Sequence, residues 1–390
     1  MEPVYDLLII GNGALGNAVA FVLCARAPDL RLALIGPSTR PGSATMAAGA
    51  MLNVFGEVEA GGLAHPLQRM KFALAREALK AWPAWLEALA AAAGRPADSG
   101  VHPGTTILRP PGSQAHYEAI RASLDDAGEP YSLIDPASIK DYRPGGARAE
   151  EAIHIPAEGR IDPRRLLALY SRAFEARKQV ALIDGSVERI TLGPGERKSA
   201  VLADGRILSA AKLLIAAGAE SGRLIGTIPA LAGRIPPLLY GLGAALHFDT
   251  EEAPDHVLRA EHPAFEHGLS LVPQGTGAIY VGASSDLAAR PESTPRPGRI
   301  EALQRAAAAL FDARLASRVP RVRLGFRPVT EDGFPLIGET SVPGLYVLSG
   351  TKRDGLHLSP VYARDMAARI LSGGGFIRGF EPERKTIGAT

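Results

Sequence analysis

Leu7-Leu8-Ile9-Ile10-Gly11-Asn12-Gly13-Ala14-Leu15-Gly16 decides the fold. Four aliphatic residues in a row suit a strand buried on both faces, as in a parallel sheet. Three glycines follow at the spacing of a strand-to-helix turn, and an Ala/Val/Leu-rich helix is predicted from there to about Arg26. After Ala27-Pro28-Asp29 a second apolar run, Leu30 to Ile35, completes a βαβ unit. In such a unit Gly11 permits the tight turn, Gly13 lets a pyrophosphate approach the backbone, and Gly16 lets the helix lie close on the strand. The helix start at Ala14 offers free N–H groups and a partial positive charge to phosphates. A purely structural glycine turn would not require the flanking strands and helix, so a nucleotide site is predicted. One expected part is missing. The second strand of these units usually ends in Asp or Glu, whose carboxylate accepts hydrogen bonds from ribose hydroxyls. Gly36 stands there instead, so that either Ser38 or backbone groups hold the ribose, or the adenosine end binds loosely. No arginine stands immediately at that point, although Arg40 is close, so a 2′-phosphate is not favoured.

Beyond this unit the chain is long enough, at 390 residues, for two domains. Hydrophobic residues make up 46% and charged residues 22%, the composition of a globular protein in water. Lys plus Arg number 43 against 41 Asp plus Glu, which gives no basic excess to suggest nucleic acid or membrane as partner. A single cysteine, Cys24, excludes an intramolecular disulfide and a multi-thiolate metal site, and no metal is expected. Together with an N-terminus lacking the features of a signal peptide, this points to a cytoplasmic protein. The oligomeric state is left open, a homo-oligomer being compatible with the sequence.

Helical spacing is read over Leu67 to Ala93 and Arg164 to Arg177. Ala203-Asp204-Gly205 marks a hairpin that leads into the strand Lys212 to Ala216 and a glycine turn at Ala217-Gly218. Leu269 to Pro273 and Ala278 to Val281, around a Gly-containing loop, read as an antiparallel hairpin, unlike the parallel opening. A strand at Gly344 to Leu348, a glycine-rich loop and a helix over Pro360 to Leu371 close the chain. The expected fold is α/β: a Rossmann-like nucleotide domain from residues 1–95, 151–235 and 320–390, and a second, antiparallel-sheet (α+β) substrate domain from 96–150 and 236–319.

Several ordered segments resemble one family. The small-residue run Pro41 to Leu52, with Ser43, Thr45, Ala48, Gly49 and Met51, is similar to the flavin-contacting loop of the FAD-dependent D-amino-acid oxidase superfamily, most closely its glycine oxidase and sarcosine oxidase branch. Leu213-Leu-Ile-Ala-Ala-Gly218-Ala-Glu-Ser221 resembles the late strand beside the cofactor. Gly325-Phe-Arg327-Pro-Val-Thr-Glu-Asp332-Gly-Phe-Pro335-Leu-Ile-Gly338 resembles the family's Arg-Pro segment almost position for position. Ser349-Gly350-Thr-Lys352-Arg353-Asp354-Gly355-Leu356-His357-Leu358-Ser-Pro360 resembles its last flavin loop, and Phe380-x-Pro382-x-Arg384 its closing pattern.

The resemblance implies FAD as cofactor, non-covalently held because the family's tethering cysteine near the C-terminus is absent. Val187 joins the residues above as an implied cofactor contact. Arg327 matches the arginine that binds the substrate carboxylate, for which a planar guanidinium with two parallel N–H groups is well suited; the alternative is a structural arginine bonding loop carbonyls. Arg353 matches a second arginine of the glycine oxidase branch. Lys352 beside it reads either as a solvated loop charge or, with Arg353, as a mark of a substrate with two carboxylates. His65 and His357 are further candidates near the flavin ring. Relatives place a carboxylate-reaching tyrosine at about Ser270, and monomeric sarcosine oxidases a lysine in the segment aligned with Gly282-Ala-Ser284-Ser285; neither side chain is present. The implied reaction is oxidation of the C–N bond of an amino acid or N-substituted glycine, with hydride transfer to flavin, imine hydrolysis and oxygen as acceptor. The alternatives are a D-amino-acid or N-methyl amino acid dehydrogenase with another acceptor, and a flavin-binding subunit of a larger complex.

Overall fold

The computed structural model describes residues 5–96, 100–193, 197–275, 277–292 and 294–386. The aliphatic opening forms β1 (Tyr5–Ile10), which turns into α1 (Ala14–Arg26); β2 (Leu32–Ile35) then lies parallel to β1, with Ile10 opposite Ile35. The long α2 (Pro66–Ala92) starts where His65 accepts the Leu67 N–H and Pro66 occupies the first turn, a position that needs no N–H. The chain then leaves for a second sheet through β3 (His102–Arg109), α3 (Gln114–Ala127) and β4 (Ser132–Ile134), and returns along β5 (Glu151–Arg160). A helix in this Pro- and Gly-rich stretch was not anticipated; Gly128, with φ 61°, ends it.

Asp162 caps α4 (Pro163–Glu175) by accepting the N–H groups of Arg164 and Arg165. The strands β6 (Val180–Ile183), β7 (Val187–Leu192), β8 (Lys198–Leu202) and β9 (Ile207–Ile215) follow, with the expected turn at Asp204-Gly205 between the last two. After the short α5 (Ser221–Ile225), the second excursion builds β10 (Leu238–Asp249), β11 (Val257–His262), β12 (Phe265–Pro273), β13 (Ala278–Gly282), β14 (Asp286–Ala288) and α6 (Arg299–Leu310). Thr276, in the loop of the expected hairpin, lies outside the described residues. The chain closes with β15 (Arg321–Thr330), β16 (Leu336–Glu339), β17 (Leu345–Ser349) and α7 (Ser359–Ser372).

The first sheet has the order β16-β17-β9-β1-β2-β6, parallel from β17 to β6, with β8 and β7 added antiparallel beyond β9. Both faces are buried, as the unbroken aliphatic strands require. Leu7, Ile9, Leu34 and Leu348 face α1, α2, α4 and α7, while Leu8, Ile10, Ile35 and Val347 pack under α5 and the β7–β8 ribbon. The second sheet, β14-β10-β13-β12-β11-β3-β5-β4 with β15 on β10, is mixed: β11 runs parallel to β3, and the other pairings are antiparallel. Here the residues alternate. Leu246, Leu258, Leu271 and Val281 point to α6, while Ala245, Ser270 and Gly282 point the other way.

This topology corrects the expected division of the chain. Glu151–Arg160 pairs with β3 and β4, and Arg321–Thr330 with β10 along ten residues, so the breaks expected at 150/151 and 319/320 move to the ends of those strands. Each returning strand carries the chain back only after completing a ladder in the second sheet. Among the described residues, no helix is long and apolar enough to cross a membrane, and no cluster of metal-ligating side chains occurs.

Candidate active site and cofactor cavity

A cavity of about 680 Å³ lies between the two sheets, running from the β1–α1 turn to the face of β10, β12, β13 and β15. Its nucleotide end is shaped by backbone. Gly11 has φ 119°, and a Cβ there would stand 2.1 Å from the Ala216 carbonyl oxygen, so the turn admits no side chain. No side chain caps α1, which leaves the amides of its first turn for an anion; the Ala14 N–H points at Thr45 Oγ1, 3.2 Å away. Asn17 fixes the turn from inside by donating to the carbonyls of Asn12 and Gly13. Gly36 is explained by Asn12: a Cβ would come 2.5 Å from the Asn12 side chain, which fills the place of the missing acid and donates to the Pro37 carbonyl.

Gly13, Ala14, Ser43, Thr45, Ala48, Gly49 and Met51 line the cavity, as do Val187, Ala217, Gly218, Asp354, Gly355, Leu356 and His357. These small residues and bare amides, around a groove closed by a helix N-terminus, fit a flavin dinucleotide. Four residues expected among the cofactor contacts are placed elsewhere. Gly16 packs on the Gly11 carbonyl and Leu358 is fully buried in the core. Gly350 packs on Thr330 and the Leu336 backbone, and Ser38 turns outward, its amide and hydroxyl donating to Asp184. Arg40, with φ 48° and its Nε donating to the Asn12 carbonyl, lines the cavity where Ser38 was expected to. The last flavin loop is anchored by Lys71, whose ammonium meets Asp354 at 2.6 Å. Burial opposes ionisation of Asp354, but Lys71 and Arg353 outweigh it and hold the carboxyl below its usual value.

At the other end Arg327 is half-buried and lines the cavity. Its Nη1 donates to the Ser284 carbonyl at 2.9 Å, and no acidic residue pairs with it among the described residues. Burial pushes the guanidinium below its ordinary value, with the Tyr280 hydroxyl acting in the opposite sense; a guanidinium remains charged at neutral pH nonetheless. The room for it comes from Gly243 on the neighbouring strand, where a Cβ would lie 2.6 Å from the guanidinium carbon. Arg353 reaches the same cavity and donates to Glu57 Oε2 at 2.5 Å. Lys352, at φ 48°, lines the mouth with its ammonium 3.7 Å from Glu266; burial lowers its value.

Two expected histidines part company. His65 caps α2 and stacks on Phe334, 5.5 Å between ring centroids, away from the cavity lining. His357 lines the cavity, paired through Nε2 with the Ala75 carbonyl at 2.8 Å, and its buried Nδ1 has no partner. Burial lowers its value, so the ring is neutral, Nε2 carries the proton and Nδ1 is left as an acceptor.

The profile of the FAD dependent oxidoreductase family matches residues 6–369. The chain belongs to that family. It is 27% identical to glycine oxidase of Geobacillus kaustophilus (strain HTA426) over 376 residues, 93% of this chain and 91% of that protein. It is 24% identical to the bifunctional protein ThiO/ThiG of Nostoc sp. (strain PCC 7120 / SAG 25.82 / UTEX 2576) over 94% of this chain and spans about half, 52%, of that longer protein. The crystal structure of the Geobacillus kaustophilus glycine oxidase superposes with a TM-score of 0.79, at 24% identity, covering 98% of this chain and 99% of that one. That of iminodiacetate oxidase from Chelativorans sp. BNC1 follows at 0.78 and 21% identity, with coverage of 97% and 99%.

As a member of this family the protein is an FAD-dependent oxidoreductase with a Rossmann-like FAD domain and a substrate domain. Cys24 is buried in α1 outside the cavity lining, and burial pushes its thiol up to about 11. It forms no flavin tether.

Sequence reasoning missed Arg259, Glu57, Glu158, Gly243 and Tyr280. Arg259, 4% exposed on β11 opposite Ser270, also lines the cavity. It donates to the Gly56 carbonyl (2.6 Å), Ser270 Oγ (3.2 Å), Glu57 Oε2 (3.0 Å) and the His267 carbonyl (2.9 Å). Beside Ser270 a buried arginine from the neighbouring strand thus reaches in. Tyr280 packs its ring against Gly49 and edge-on against His247. Only the alternate glycines of Gly241-Leu-Gly243 gave a sequence signal for a face that must stay clear.

Proposed function

We propose that this protein oxidises the C–N bond of a small amino acid or N-substituted glycine whose carboxylate is held on Arg327, and that oxygen is its electron acceptor. Its family makes it an FAD-dependent oxidoreductase of amines or amino acids. The finer reading is carried by one observation: a guanidinium without an acidic partner among the described residues, lining the end of the cavity opposite the β1–α1 turn. Two parallel N–H···O bonds to a carboxylate fix the substrate's orientation, so binding energy becomes positioning at the reacting carbon. Gly243 and Ser284 hold that guanidinium in place. FAD, held by the β1–α1 turn and the Ser43–Met51 lining, would supply a two-electron acceptor for the hydride of the carbon next to nitrogen, with oxygen taking up those two electrons and two protons as hydrogen peroxide. The neutral amine's proton departs to solvent, and water splits the resulting imine into an amine or ammonia and an oxo acid. A small-residue wall of Gly243, Ala245 and Gly282 leaves room for an N-substituent.

Anaerobic mixing of the holoprotein with amino acids and N-substituted glycines should bleach the flavin band, and admitting oxygen should restore colour with one peroxide per turnover. Arg327→Ala should stay yellow and lose roughly a hundredfold or more in kcat/KM. Unaltered turnover by that variant, or a panel that never bleaches the holoprotein, overturns the reading. A second reading, transfer to a carrier, rests on the segment after β13, where Ser285 and not a lysine lines the cavity. Bleaching with dye reduction but no peroxide would establish it.

A further inference from the structure

Beyond Arg327 the cavity holds a second set of cations for which one carboxylate on a small substrate gives no use. Arg259 and Arg353 both donate to a single oxygen, Oε2 of Glu57, at 3.0 and 2.5 Å. Two guanidinium groups share one carboxylate oxygen, and the next acid of the cluster, Glu59, is engaged by His267 Nδ1 at 2.9 Å with 54% of its side chain exposed. Arg259 is spent on its surroundings through four hydrogen bonds. Arg353 is not: Nη2 goes to Glu57, and its Nε and Nη1 have no partner among the described residues while it lines the cavity. Lys352 follows it in the lining, and the acid nearest Lys352, Glu266, stands 3.7 Å away with 68% of its side chain exposed, where solvent screens the pairing. Guanidinium N–H groups left without an acceptor in a partly desolvated cavity are costly until an acceptor reaches them.

We infer that the substrate is an amine bearing two acidic groups: the carboxylate next to the oxidised carbon sits on Arg327, and the second sits on Arg353 and Lys352 at the cavity's outer end. This rests on the oxidation of an N-substituted amino acid proposed above and names its substrate class. Glu57 is the positioning residue: it holds Arg353 toward the cavity and is itself tied to Arg259 on the second sheet. Ser270 lines the same cavity with a small side chain that accepts from Arg259.

A matched series tests it with the native holoprotein: N-(2-carboxyethyl)glycine, its neutral isostere N-(2-carbamoylethyl)glycine, and N-(3-aminopropyl)glycine, each scored by anaerobic flavin bleaching and by kcat/KM. The diacid should lead the amide roughly tenfold to hundredfold, the yield of one charge-assisted contact, and the ammonium compound should be poorest. In Arg353→Gln and in Lys352→Met the ratio of diacid to amide should contract, the flavin spectrum staying as it was. Equal use of diacid and amide, or preference for the ammonium compound through the second oxygen of Glu57, overturns the two-acid inference and leaves the oxidation itself standing. If no member of the series nor any amino acid bleaches the flavin, the parent reading falls, and this one with it.

Discussion

Arg327 is usable only because Gly243 is bare. On β10 Gly241, Gly243 and Ala245 alternate toward the cavity, and Arg327 of β15 crosses over the middle one, with the Gly243 position 2.6 Å from the guanidinium carbon if it carried a Cβ. A valine there cannot be accommodated without moving the guanidinium, since the clash is with its rigid head and with both Nη atoms at 2.6 Å. Gly243→Val should therefore raise KM for the carboxylate substrate at least tenfold, in the range of one lost charge-assisted bond, while the flavin content stays as in the native protein. Steady-state kinetics beside an absorption spectrum checks this, and an unchanged KM would remove Gly243 from the binding site. Arg327 was legible in the sequence because its neighbours form a contiguous motif. Gly243 was not, because what gives it meaning is Arg327 on the neighbouring strand, paired in register with Gly241 and reaching across Gly243, and only register supplies that.

The turn Val54–Glu57 shows how an element is held by a residue with no place in any motif. Glu158, fully buried on β5, accepts the amides of Val54, Phe55 and Gly56 on one oxygen at 2.6, 2.6 and 3.1 Å, and its other oxygen has no partner. Arg259 grips the same turn from the other side through the Gly56 carbonyl and the Glu57 carboxylate. Burial pushes Glu158 up to about 7 from an ordinary 4.5, against the pull of the three amides. Because the folded value lies above the unfolded one, this group's stabilising contribution is complete below about pH 4.5, is lost as pH rises through 7, and changes no further above. The loss amounts to about 3 kcal/mol at most. Glu158→Gln keeps an acceptor for the amides and buries no charge, so its stability relative to the native protein should grow between pH 4.5 and 7 and level off above. Denaturant titrations at several pH values read this directly; a constant difference would show that Glu158 does not titrate in this range. Glu158 and Phe55 are 103 residues apart, and neither spacing nor composition linked them.

At the scale of the whole molecule the sequence was most informative where one sheet is built locally and least where two sheets meet. The βαβ opening, the β8–β9 hairpin and α7 stand where pattern and turn residues put them. The domain borders moved because β5 and β15 complete ladders in the second sheet before the chain returns, and ladder membership is a non-local property. The same interleaving makes the cavity a joint between the sheets: Gly11 and Ala217 form one wall, Ala245 and Arg327 the other. A cofactor filling it touches both walls and binds only when both are folded. FAD should consequently stabilise the molecule as a unit, by about 2.7 kcal/mol when free FAD is a hundredfold above its dissociation constant. Stripping FAD should lower the melting temperature of a single calorimetric transition, and adding it back should restore it in proportion to the logarithm of its concentration. If the apoprotein instead melted in two steps, with one step at the holoprotein's temperature, one sheet would be folding without regard to the cavity. The four chain crossings between the sheets, at α2–β3, β5–α4, α5–β10 and β15–β16, argue for the single transition, since neither sheet is made of one uninterrupted stretch of chain.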